Sequence, residues 1–115
     1  MDSLPPHARQ QLLELKRGFI LQLPDRLRKI AEACELAAGA GWTEETDTNA
    51  YRLAHNLAGT SATYGLVDVS EAARRVEAPL SAAHAQRAPL SEAAWSEIRL
   101  ALRDLDAVIR SLPPV

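Results

Sequence analysis

Three histidines, one cysteine and a scatter of carboxylates are among the side chains of this chain with the chemistry for covalent or proton transfer. His55 differs from the rest in its surroundings. Laid on a helix at about 100° per residue, Ala50, Leu53, Ala54, Leu57, Ser61 and Tyr64 gather within roughly 60° of one direction, whereas His55 falls about 140° away. It therefore faces solvent. Helical side chains lean toward the N-terminus, so the patch around His55 is overlain by Ala58 and Gly59, with Ala62 one turn further on. All three are small, and Gly59 costs the helix about 1 kcal/mol relative to alanine without an evident packing need. The pattern predicts an imidazole left uncovered in a shallow notch. Near neutral pH such a ring offers a neutral, nucleophilic nitrogen that can hold a phosphoryl group covalently. The sequence has no GxxxxGK[ST] motif or other Gly-rich phosphate loop with which to take that group from a nucleotide. The residues read as a carrier rather than a kinase.

The remaining reactive groups read more plainly. His7 and His84 are expected to be solvated, and no two histidines are spaced like metal ligands on one helix. Cys34 lies on an apolar stripe and reads as a small buried hydrophobe. Asp47, Glu71 and Glu77 form no evident acid and base pair. Arg74 and Arg75 read either as a docking patch or as an ordinary solvated face. Trp42 and Trp95 read as packing residues rather than a ligand cage.

The elements that must position His55 follow from spacing and punctuation. Leu12, Leu15, Phe19, Ile20, Leu23, Leu27, Ile30 and Cys34 recur at helical intervals, giving one long helix or two joined at a kink or restart near Pro24. Gly39-Ala40-Gly41 should end this region. Thr43 is placed to cap the next helix, with Glu44 and Glu45 against its positive end, and Gly65 to terminate it after about Tyr64. A third helix should begin near Asp68 with a capping-box variant to Glu71, bury Val69, Ala73, Val76, Leu80 and Ala83, and bend or break at Pro79. The last should open at Ser91, stapled by Leu90 and Trp95, and continue through Ile98, Leu102, Leu105, Ile109 and Leu112. Four amphipathic stretches with short connections predict an all-α, mostly antiparallel bundle.

Composition agrees with that architecture and narrows the partners. A length of 115 residues suits one domain over residues 1–115, and 4% aromatic content favours helix over strand. The formal charge of −2 supplies no basic field for a nucleic-acid backbone. A lone cysteine allows no internal disulfide, no apolar run is long enough to span a bilayer, and no leader pattern opens the chain. The expected setting is cytoplasmic, with no membrane insertion.

The run AHNLAGTSATYGLVDVSEAARRVE resembles the signature of the histidine-phosphotransfer (HPt) family. That signature is His-x-Leu-(Lys or small)-Gly, then small residues, a glycine ten positions after the histidine, and Leu-x3-Ala-x2-Leu-Glu. His55, Leu57, Gly59, Gly65, Val69, Ala73, Val76 and Glu77 fall on those places, and FILQLPDRLRKIAEAC is similar to the helix that precedes the motif. The resemblance covers most of the chain and implies an up-and-down four-helix bundle with a short additional N-terminal helix. It further implies that His55 is the phosphoacceptor, through Nε2, in a phosphorelay of two-component signal transduction. The implied partners are response-regulator receiver domains, which bring the Mg2+ and the reactive aspartate, and a hybrid sensor histidine kinase. The carrier itself would be a monomer with no metal or other cofactor of its own. Many family members place lysine three residues after the histidine; this chain has Ala58, which leaves Arg52 and Arg75 as the candidate cations beside the phosphate, with Gly59 and Ala62 as docking positions. Two alternatives are a degenerate HPt-like adaptor that binds signalling proteins without phosphotransfer, and the dimerisation domain of a nucleotide-using histidine kinase.

Overall fold

Residues 4–115 are described by a computed structural model. Four helices follow one another: α1 over Pro6–Ala37, α2 over Glu44–Thr63, α3 over Val67–Gln86 and α4 over Glu92–Arg110, with a single 3-10 turn over Gly39–Gly41 between α1 and α2. Each helix packs on its neighbour in sequence, and α1 also meets α4, which closes the bundle. No strand occurs among the described residues. The all-α bundle expected from the four apolar stripes is the observed architecture.

The N-terminal region departs from expectation. Among the described residues no separate short helix precedes the bundle; the residues from Pro6 onward are the first turns of a 32-residue α1 that passes through Pro24 without a restart. Proline there removes the hydrogen bond to the Ile20 carbonyl. Pro24 itself is exposed, whereas Leu23 and Ile30 on either side are buried in the same core, so packing holds the helix across the missing bond. Leu15, placed on the buried stripe by spacing, is exposed, and Leu12 is half-buried. Pro79 likewise lies inside a continuous α3, with its ring buried. The interruption expected there does not occur.

The helix ends show which local signals held. Thr43 caps α2: its Oγ1 accepts the Thr46 N–H at 3.0 Å while Thr46 Oγ1 accepts the Thr43 N–H at 2.8 Å, a reciprocal box built with threonine. Glu44, Glu45 and Asp47 fill the first turn, where the helix dipole favours negative charge. At the other end Gly65 has φ +74, and the N–H groups of Gly65 and Leu66 return to the carbonyls of Ala62 and Ser61. This Schellman arrangement turns the chain directly into α3. It also displaces the expected Asp68–Glu71 box, because Leu66 is already the N-cap and makes no side-chain cap, leaving Asp68 inside the first turn. Ser91 caps α4 as expected, with Oγ accepting the Ala94 N–H at 3.1 Å. Leu90 is buried and Trp95 packs against the same cluster, consistent with the staple.

One core joins the helices. Phe19, Leu23, Ile30 and Cys34 of α1 meet Ala50, Ala54 and Leu57 of α2, Val69, Ala73, Val76 and Leu80 of α3, and Ile98, Leu105 and Ile109 of α4. Many α2 and α3 core residues are alanines, which lets these two helices approach closely and brings their exposed edges within reach of each other.

Candidate functional site

His55 stands on the middle of α2, with its side chain 61% exposed, as its position off the core stripe predicts. Its Nδ1 lies 2.7 Å from Oε2 of Glu77 on α3. An ionised carboxylate only accepts hydrogen bonds, so we assign the ring proton to Nδ1, donated to Glu77. In the neutral ring this tautomer leaves the Nε2 lone pair free. Glu77 is only 19% exposed, held at the seam between α2 and α3, so its carboxylate also stands ready to stabilise positive charge that develops on the ring. Tyr51, one turn before His55, stacks on the imidazole with ring centroids 5.8 Å apart and planes 23° from parallel. The arrangement fixes the ring's orientation and tautomer and exposes one nucleophilic nitrogen.

The small residues divide into two groups. Gly59 and Ala62 are exposed on the His55 side, and beyond the local backbone of α2 a Cβ placed on Gly59 would meet no atom within 4 Å. Packing therefore does not require glycine at that position. Ala58 is not part of the open notch: it is 3% exposed, covered by α3, and its carbonyl accepts the Ser70 Oγ hydrogen bond at 2.8 Å. Its angle on the wheel lies between the core and His55, and the close α2–α3 approach carries it to the buried side.

The arginines are also redistributed. Arg75 lines the groove between α3 and α4 together with Asp68, Glu71 and Val108, away from the α2 seam. Arg52 is exposed and borders a cleft at the start of α2 that it shares with Glu44, Glu45 and Asn49. Arg74 is the arginine turned to α2: its Nε donates to Ser70 Oγ at 3.5 Å, and that hydroxyl is bonded to the Ala58 carbonyl. Arg74 thus stands one turn before Glu77, at the level of Ala58.

Two residues of the site escaped spacing arguments. Glu77 touches His55 only because antiparallel packing brings together positions 22 apart in sequence. His84 is not simply solvated, since its Nδ1 lies 2.6 Å from Oδ2 of the buried Asp47, and its ring stacks on Tyr51 at 5.1 Å. Neither pairing has a local sequence signal, although helix direction and loop length place both residues of each pair on facing elements. His7 is exposed in the first turn of α1, as expected.

The Hpt domain matches residues 14–108, a span that contains His55, Glu77 and the greater part of each helix. No curated protein and no solved structure matches the chain significantly. The match covers well over half of the sequence, and the chain belongs to the Hpt domain family.

Proposed function

We propose that this chain is a phosphorelay carrier in which His55 takes a phosphoryl group from the aspartyl phosphate of one receiver domain and passes it to the aspartate of another. The observation that carries this reading is an exposed imidazole with Nδ1 bonded to Glu77 and Nε2 free, beside the uncovered surface of Gly59 and Ala62. In the transfer the Nε2 lone pair forms a bond to phosphorus while the bond from phosphorus to the aspartyl oxygen breaks, leaving a carboxylate on the receiver. The ring becomes cationic and keeps its Nδ1 proton, which Glu77 then holds by a charge-assisted hydrogen bond. A receiver's Mg2+ would offset charge on the phosphoryl oxygens, and Arg74, bonded to Ser70 at the seam between α2 and α3, is the candidate cation on this chain. Reversal of the same steps onto a second receiver completes the relay.

In this reading residues 1–115 act as one monomeric cytoplasmic module that carries phosphate without a nucleotide site of its own. None of the four helices is long and apolar enough to cross a membrane. The test is transfer from a panel of phosphorylated receiver domains to the wild type and to His55→Gln. Acid-labile label on the wild type that is lost in a folded His55→Gln protein supports the reading. Stable binding of receivers without any transfer would instead identify an adaptor.

A further inference from the structure

The arrangement at His55 occurs a second time on the same pair of helices. His84, near the end of α3, sends Nδ1 to Oδ2 of Asp47, in the first turn of α2, at 2.6 Å. Asp47 is 4% exposed and His84 40%. A buried carboxylate is stable only when paired, and as an ionised acceptor it holds the His84 proton on Nδ1. The His84 ring stacks on Tyr51 with centroids 5.1 Å apart and planes 6° from parallel, so Tyr51 touches both imidazoles. Both histidines bind a seam carboxylate through the same nitrogen, and neither ring's Nε2 is hydrogen-bonded among the described residues. Arg87, three positions beyond His84 and in a long contact of 3.9 Å with exposed Glu44, brings a cation to this end of the seam.

We propose that His84 is a second phosphoryl-accepting histidine, with Asp47 holding the tautomer that presents its Nε2. Pairing alone would explain why a hydrogen-bond donor neighbours Asp47, but lysine or arginine would serve that purpose. The imidazole adds a half-exposed nucleophile with fixed orientation. The proposal concerns the chemistry of His84 and does not require recognition by the receivers invoked for His55. With phosphoramidate as donor, the neutral Nε2 lone pair bonds to phosphorus and the donor's P–N bond breaks. Ammonia leaves from the zwitterionic donor with the protons it already carries. The ring cation so formed keeps its Nδ1 proton on Asp47.

The experiment incubates wild type, His55→Gln, His55→Gln/His84→Gln and His55→Gln/Asp47→Asn with phosphoramidate, and maps acid-labile phosphate by mass spectrometry of peptides kept at alkaline pH. The expected result is label on His84 in the His55→Gln protein, lost in the His84→Gln double variant and formed more slowly with Asp47→Asn. Circular dichroism establishes that each variant is folded. If Asp47→Asn unfolds, the comparison with and without His84 still decides. A His55→Gln protein labelled no more than the His84→Gln double variant, or labelled only on His7, overturns the proposal. Failure of receivers to label His55 in the wild type would overturn the relay reading and leave this result untouched.

Discussion

At the scale of single residues, the seam between α2 and α3 decides which charges can act on His55. Arg74 is tied to Ser70 beside Ala58, whereas Arg75 looks toward α4. Arg74→Ala should therefore shift the phosphate equilibrium away from this chain and toward its receiver. At an exposed position the change should not exceed about 1 kcal/mol, roughly fivefold, and should shrink at high salt. Arg75→Ala should leave the equilibrium where it is. Equal effects of the two substitutions, read from the phosphate split with one receiver, would show that long-range charge rather than placement matters. Lysine at position 58 is a different experiment here from the same change at an exposed site. Ala58 is buried against α3, so Ala58→Lys must either bury an ammonium or push the helices apart. We expect a measurably lower melting temperature in that variant before any gain in phosphate retention.

At the scale of elements, two glycines of the α2 region serve different purposes. Gly65 closes α2 with positive φ, and an alanine there should cost about 1 kcal/mol through the left-handed backbone it must adopt. Chemical denaturation of Gly65→Ala, with an unchanged m-value, measures this. Gly59 lies within the helix in open space, so Gly59→Ala should stabilise the protein by up to about 1 kcal/mol. Gly59→Leu should keep that helix intact yet slow phosphotransfer, because a leucine four residues after His55 leans over the imidazole and holds a partner away. Transfer rates for the leucine variant that match those of the alanine variant would mean that access is not limited at this position. The prolines teach a related lesson: Pro24 and Pro79 carry strong local breaking signals, but α1 and α3 continue through them. Apolar residues on both sides of each proline bury in one core, and that burial outweighs a single missing hydrogen bond.

At the scale of the molecule, the shared core gives a reporter of global unfolding. Burial, with a smaller contribution from neighbouring Glu35, pushes the Cys34 thiol up to about 12 from its usual 9.0. At neutral pH the reactive thiolate is then scarce and shielded. A thiol reagent should label Cys34 only at the rate at which the bundle opens, and the labelling midpoint in denaturant should coincide with loss of helical signal. Rapid labelling in native buffer would show that the α1 seam opens locally. The sequence alone determined the all-α class, the caps at Thr43 and Ser91, the glycine that ends α2, and the outward direction of His55. Each of these depends on spacing or conformational preference within one helix, which is visible in a single stretch of chain. Tertiary structure decided that Glu77 holds Nδ1 of His55, that Asp47 holds His84, that Arg74 rather than Arg75 faces the seam, and that Ala58 is covered. These features depend on the register of α2 against α3, and a register between helices is set by how closely their alanines pack rather than by any residue's distance along the chain.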